Sequence, residues 1–106
     1  MVETKIYVGL NDATTKTQKY DTDRYVKLLK KVCIGNETSF SFNLMEGGYI
    51  HEDGTFTQEN GIVVTLIDVD DDVVDSVARD LCVFFHQESV VITTDQVETR
   101  SVHEEL

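Results

Sequence analysis

Apolar and polar residues alternate along several parts of the chain, which is the pattern of a strand with one buried face. In the first such segment Ile6, Val8 and Leu10 fall on one side and Tyr7 on the other. Further strands are predicted over residues 39–51, 56–67 and 89–93. Residues 61–67 form the most continuous β-branched run, which favours a central strand.

Glycines divide the middle of this pattern. Gly47 and Gly48 interrupt the second predicted strand, and two glycines there favour a bulge or bend. Asp53-Gly54 lies between two alternating segments and is a strong signal for a tight hairpin. We therefore expect the second and third strands to form an antiparallel pair.

Two segments repeat apolar residues every three or four positions, as amphipathic helices do. The first follows Asp21-Thr22-Asp23, whose carboxylates suit a helix N-terminus, and Gly35 is expected to end it. The second follows Asp70-Asp71-Asp72, which we expect to cap it. The apolar stripes comprise Tyr25, Leu28, Leu29 and Val32 in the first helix and Val74, Val77, Ala78, Leu81 and Phe85 in the second.

The predicted order is strand, helix, strand, strand, helix, strand. This order is typical of the α+β ferredoxin-like βαββαβ fold, a four-stranded antiparallel sheet with two helices on one face. A length of 106 residues fits one such domain, which we assign to residues 1–94. Residues 95–106 are polar and are interpreted as a tail or an oligomer arm, and residues 11–20 as a long polar loop.

Charge is distributed unevenly along the chain, whose net charge is −11. Residues 1–35 contain seven Lys or Arg and four Asp or Glu, a net of +3, whereas residues 36–106 contain two and sixteen, a net of −14. So few cations argue against direct nucleic-acid binding. The acidic part either keeps the protein soluble or steers it to a basic protein partner. With no export signal or apolar span of about 20 residues, we expect a cytoplasmic protein without membrane contact.

Local motifs for catalysis or metal binding are weak. The aspartates from Asp68 to Asp75 fail the calcium-loop pattern, since Val73 and Arg79 stand where glycine and glutamate are required. No phosphate loop or nucleophile elbow occurs, so no catalytic residue, metal or cofactor is assigned. His51 and Glu59 could face each other across the hairpin as an acid–base pair.

The sheet face opposite the helices would carry Tyr7 and part of the apolar run 63–67. An aromatic, half-apolar face is costly to leave in water, so we expect a second copy to cover it, most simply in a homodimer. A ligand cleft between the sheet and that partner is a further possibility.

Several segments together resemble a bacterial family of small domains of unknown function. They are Tyr7-Val8-Gly9-Leu10, Gly47-Gly48-Tyr49, Asp53-Gly54 and Phe84-Phe85-His86-Gln87-Glu88-Ser89-Val90, of which Gln87 to Val90 is the most specific. The resemblance spans about residues 5–93 and implies a ferredoxin-like arrangement without a known activity. Compact acidic chains of this kind are also similar to those carried by phages and mobile elements.

Three functions follow from these observations. The first is a non-catalytic, oligomeric module that binds a small molecule or a protein. The second is an acidic inhibitor of a basic, nucleic-acid-binding surface on a host protein, and the third is a small dimeric ferredoxin-like enzyme using His51 or Glu88. The candidate binding residues are Tyr7, Asn11, Asp12, Tyr49, His51, Glu59, Gln87 and Glu88.

Overall fold

The computed structural model describes residues 1–105 and contains four strands and two helices within them. In chain order they are β1 (Val2–Gly9), α1 (Thr22–Gly35), β2 (Ser41–Ile50), β3 (Phe56–Ile67), α2 (Asp71–Phe84) and β4 (Val91–Gln96). The strands form one antiparallel sheet in the order β2-β3-β1-β4. The predicted α+β ferredoxin-like fold is confirmed.

One hydrophobic core joins the sheet to both helices. Alternate residues of the two central strands are buried in it, namely Ile6 and Val8 of β1 and Ile62, Val64 and Leu66 of β3. Both helices bury the apolar stripes predicted for them, except that Leu28 is only partly buried. Cys33 of α1, which is not part of the predicted stripe, is also fully buried. Since strand residues alternate between faces, the residues between the buried ones lie on the other side of the sheet. We call that side the open face.

The helix ends differ in detail from the sequence-based expectation. At α1 the Asp21 side chain accepts a hydrogen bond from the backbone N–H of Arg24, as expected of an N-cap. Gly35, however, is the last residue of the helix and Asn36 is the cap. Asp70 occupies the N-cap position of α2, but its side chain makes no capping hydrogen bond.

The hairpin between β2 and β3 is regular throughout. A turn occurs at the predicted place and contains Asp53 and Gly54: the backbone N–H of Gly54 donates to the carbonyl of His51 at 2.9 Å, and Gly54 has a φ of 86°. The predicted bulge at Gly47 and Gly48 is absent, because pairing continues residue by residue from Ser41↔Thr65 to Ile50↔Phe56. Gly48 instead leaves room for the Phe56 ring, with which a Cβ at that position would collide.

The hairpin also makes the molecule long. Pairing of β1 with β3 ends at Gly9↔Gly61, so the β2–β3 pairs from Glu46↔Asn60 to Ile50↔Phe56 extend beyond β1. The radius of gyration is 15.7 Å, and the principal extents are 58 × 28 × 28 Å. A compact chain of this length would have a radius of gyration of about 13 Å.

The last strand ends at Gln96, two residues beyond the domain boundary drawn from the sequence. The backbone N–H of Val97 then donates to the carbonyl of Met1. A tail or arm role for the remaining residues stays a prediction. None of the helices described within residues 1–105 is both long and apolar enough to cross a membrane.

Candidate functional site

A polar cleft lies at one end of the sheet, where the polar loop, the β2–β3 hairpin and the α2–β4 junction meet. Its volume is about 210 Å³. We call it the end cleft; its lining residues are Asn11, Asp12, Ala13, Lys16, Tyr49, Glu59, Gln87, Glu88 and Ser89. By strand alternation Tyr49 and Glu59 belong to the open face, so the end cleft opens on the side of the sheet that has no helices.

Asp12 organises the loop that forms one wall of the end cleft. Its Oδ1 accepts hydrogen bonds from the backbone N–H groups of Thr14 at 2.8 Å and Thr15 at 3.1 Å. Its Oδ2 lies 2.7 Å from Nδ1 of His86 and 3.3 Å from Nζ of Lys19. With only 4% of its surface exposed, this carboxylate is occupied on both oxygens by the protein itself.

These contacts stabilise the ionised form of Asp12. The hydrogen bond from His86 is the largest influence, and it holds the pKa of this carboxyl far below its usual range despite the opposing effect of burial. The backbone donors of Thr15 and Thr14 and the ammonium of Lys19 act in the same direction. Asp12 therefore carries its negative charge as a structural element of the loop.

The loop is also fastened to the α2–β4 junction. The backbone N–H of Ala13 donates to the carbonyl of His86 at 3.0 Å, and Nε2 of Gln87 donates to the carbonyl of Asn11 at 2.7 Å. His86 adopts a φ of 52°, a left-handed conformation that is uncommon outside glycine. This turn directs the following residues, Gln87 and Glu88, toward the end cleft.

Glu59 forms the floor of the end cleft. Its Oε2 accepts a hydrogen bond from the backbone N–H of Asn11 at 3.0 Å. The carboxylate lies against Gly9, where a Cβ would come within 2.5 Å of Oε2. Within residues 1–105, Oε1 of Glu59 accepts no protein hydrogen bond. Glu59 is thus a half-buried carboxylate with one oxygen held and the other free for a ligand.

The tip of the hairpin places an aromatic ring beside this carboxylate. Tyr49 is half exposed, and its ring meets the ring of His51 edge-on, with centroids 4.7 Å apart. Nε2 of His51 lies 2.6 Å from Oγ1 of Thr57. The predicted pairing of His51 with Glu59 is wrong, because the register places Gly47 opposite Glu59 and leaves His51 at the hairpin tip.

Six of the eight candidate residues therefore line one cleft: Asn11, Asp12, Tyr49, Glu59, Gln87 and Glu88. Tyr7 lies farther along the open face, between Val63 and Val91, and His51 contacts the ring of Tyr49 without being one of the lining residues. The sequence did not single out Lys16 or His86. His86 could have been found from its place next to Gln87, but its contact with Asp12 spans 74 positions in the chain.

The end cleft combines charges of both signs. Three carboxylates, Asp12, Glu59 and Glu88, line it together with one ammonium group, that of Lys16. The described residues contain no cluster of three or more His, Cys, Asp or Glu side chains arranged to hold a metal ion. Free carboxylate oxygens beside an aromatic ring are suited to an organic cation.

Comparisons with known proteins indicate where this fold occurs. No family model matches the sequence, and no curated protein matches it at a significant level. A phage SAM lyase in complex with S-methyl-5'-thioadenosine is similar in structure, with a TM-score of 0.67 and 24% identity over 90% of this chain and 80% of the lyase. A phage SAM lyase in the apo state has the same TM-score and identity, over 89% and 78% of the two chains. The periplasmic divalent cation tolerance protein CutA from Archaeoglobus fulgidus has a TM-score of 0.57 and 10% identity, over 93% and 87%.

Proposed function

We propose that this protein binds S-adenosylmethionine (SAM) in the end cleft and cleaves it to S-methyl-5'-thioadenosine. The observation that carries the proposal is the carboxylate of Glu59, which has one oxygen without a protein hydrogen bond in a cleft that Tyr49 also lines. The similarity to a phage SAM lyase over nearly the whole chain supports the same choice. An origin in a phage or mobile element fits this proposal.

The ligand's chemistry matches the groups that line the end cleft. SAM carries a positive sulfonium sulfur, for which Glu59 and Glu88 are suitable counter-charges. Its adenine is a flat aromatic group, and the half-exposed Tyr49 ring is available for stacking. Asp12 is unsuited to direct binding because its oxygens are already occupied by His86 and by the loop backbone.

Formation of S-methyl-5'-thioadenosine breaks the bond between the sulfonium sulfur and the aminobutyrate side chain. The bonding electron pair moves to sulfur, which becomes a neutral thioether. In the same step the carbon that leaves sulfur forms a new bond in one of two ways. Either it forms a double bond to its neighbouring carbon, whose proton moves to the Glu59 carboxylate, or it bonds to an oxygen of the fragment's own carboxylate and closes a lactone. In both routes the role proposed for Glu59 is to hold the sulfonium next to a fixed negative charge.

The protein is further proposed to act as a homo-oligomer. The end cleft measures about 210 Å³, whereas pockets for small molecules are usually about 300–1,000 Å³. Its mouth lies on the open face, where Val91 is 60% exposed and Tyr7 and Val63 are partly exposed. A second copy on that face would cover these apolar groups and enclose the ligand.

The decisive experiment compares wild-type protein with Glu59→Gln and Asp75→Asn. The glutamine keeps an oxygen that can accept from the Asn11 N–H but removes the charge, and Asp75→Asn removes the same charge from an exposed position on α2. Each protein is incubated with SAM, and S-methyl-5'-thioadenosine is quantified by chromatography. We expect product from the wild type and Asp75→Asn, and a decrease of about 10- to 100-fold in Glu59→Gln.

The outcome separates catalysis from binding. SAM binding measured by calorimetry without product formation would support the non-catalytic binding module instead. Absence of both binding and product would overturn the proposal. The acidic-inhibitor hypothesis would then become the next to test, through the salt dependence of binding to a basic protein.

A further inference from the structure

Lys16 is the only cationic side chain among the residues that line the end cleft. Within residues 1–105 no carboxylate lies within 4.0 Å of its ammonium group. The neighbouring Lys19, in contrast, is paired with Asp12 at 3.3 Å. A cleft that contains three carboxylates therefore leaves its single ammonium group free.

The loop holds Lys16 at this place through its backbone. The N–H of Lys16 donates to the carbonyl of Asp12 at 2.8 Å, closing the turn that the Asp12 side chain organises. Lys16 adopts a φ of 62°, a left-handed conformation that costs a non-glycine residue free energy. The loop backbone thus fixes the position from which Lys16 lines the end cleft, which Glu59 and Glu88 also line.

From these observations we infer that Lys16 binds the carboxylate of a zwitterionic amino-acid group on the ligand, while Glu59 and Glu88 face the ligand's cationic centres. The inference rests on the proposed function and deepens it, because it makes Lys16 the residue that distinguishes SAM from cations lacking a carboxylate. An ammonium–carboxylate pair in a partly enclosed cleft is a charge-assisted interaction, among the stronger polar contacts in proteins. Opposite charges at separate places in the end cleft would also fix the direction in which the ligand lies.

The test uses two ligands that differ only in the charge of one group. Sinefungin, a SAM analogue with an amine-bearing carbon in place of sulfur, cannot release the thioether and keeps the carboxylate. Its methyl ester lacks that negative charge. Binding of both is measured by calorimetry to the wild type, Lys16→Met, Lys16→Arg and the control Lys27→Met, which removes an exposed lysine of α1.

We expect Lys16→Met to weaken sinefungin binding about 10- to 100-fold and to leave binding of the methyl ester unchanged within about twofold. Lys16→Arg should restore most of the sinefungin affinity, and Lys27→Met should match the wild type for both ligands. Equal losses for the two ligands, or no loss for either, would overturn the role of Lys16 while the proposed function stood. If the wild type binds neither sinefungin nor SAM, the proposed function fails and this inference fails with it.

Discussion

The carboxylate of Glu59 lies in the space that a side chain at Gly9 would occupy. A Cβ built on Gly9 would approach Oε2 of Glu59 to 2.5 Å and Oε1 to 2.8 Å. Gly9 pairs with Gly61 across the sheet, so two residues without side chains mark the end of β1 at the floor of the end cleft. The position of the proposed binding carboxylate thus depends on a residue that contributes no chemical group.

Substitution of Gly9 by Ala should therefore reduce turnover strongly without unfolding the protein. The new methyl group meets the end of a flexible side chain, so Glu59 can rotate away while the strand stays in place. A displacement of about 1 Å at a reacting centre can reduce turnover about 100-fold. We expect that loss in S-methyl-5'-thioadenosine formation, with thermal unfolding close to that of the wild type.

Gly35→Ala is the matched control for this substitution. Gly35 ends α1, and a Cβ there meets no atom within 4 Å. It should retain full activity and be slightly more stable, since alanine is favoured over glycine in helices by up to about 1 kcal/mol. Full activity in Gly9→Ala would show that the carboxylate position does not matter.

The contact between Asp12 and His86 should be visible in the acid range. The pKa of Asp12 lies below its usual value in the folded protein, chiefly because of His86. A carboxyl of this kind stabilises the fold fully above the unfolded-state value of about 4, and the contribution is lost as pH falls toward the lower folded-state pKa. We expect unfolding by urea to show a steeper loss of stability below about pH 4 in the wild type than in Asp12→Asn.

His86→Asn tests the cause of that behaviour. Without the imidazole, the pKa of Asp12 should move up toward its ordinary range, which carbon NMR of the carboxyl group would record. Asp75→Asn is the matched control for Asp12→Asn, because it removes the same charge from an exposed position on α2. An Asp12 titration that is identical with and without His86 would contradict the assignment.

A hydrogen-bonded group around Asn36 connects the two helices, and we expect it to contribute to stability but not to activity. Asn36 donates through Nδ2 to the carbonyl of Val32 at 2.8 Å and to Asp80 at 3.0 Å, and its Oδ1 accepts from Ser76 at 2.6 Å. Asn36→Ala removes all three bonds and leaves partly buried groups without partners. We expect a loss of about 1–3 kcal/mol in the free energy of unfolding, measured with urea. Turnover of SAM by the folded variant should not change, since Asn36 is outside the end cleft.

The periodicity of the sequence predicted the strands, the helices and their buried faces, because the residues on one face of a strand or helix recur at a fixed spacing. Such a prediction needs no knowledge of the residues on the other side of the core. It correctly placed Ile6 and Val8 on one side of β1, and Val77 and Leu81 on one side of α2. Pairing register is different, since a shift of one residue exchanges the two faces of a strand. The expected pairing of His51 with Glu59 failed because the short turn after His51 sets the register of the hairpin and places Gly47, four residues from His51, opposite Glu59.

The candidate site could likewise be predicted from the sequence only in part. The ferredoxin-like order brings the end of β1 near the start of β4, so Asn11 and Asp12 could be expected near Gln87 and Glu88. The contact of Asp12 with His86 is different, since it spans 74 positions and His86 is in a left-handed conformation that local patterns do not indicate for histidine. The free charge of Lys16 likewise became apparent only once the carboxylates around it were placed.

The open face provides the last prediction, which concerns assembly. Val91 is 60% exposed on this face and pairs with Tyr7, whereas Val83 is 68% exposed on α2 on the opposite side of the molecule. Val91→Glu should place a charge inside the proposed subunit contact and dissociate the oligomer, because a buried unpaired charge is costly. Val83→Glu makes the same change on a surface outside that contact and should leave assembly intact. Sedimentation velocity distinguishes these results, and a monomeric wild type at high protein concentration would contradict the prediction. Since the end cleft opens on the same face, the dissociated variant should also bind SAM more weakly than Val83→Glu does.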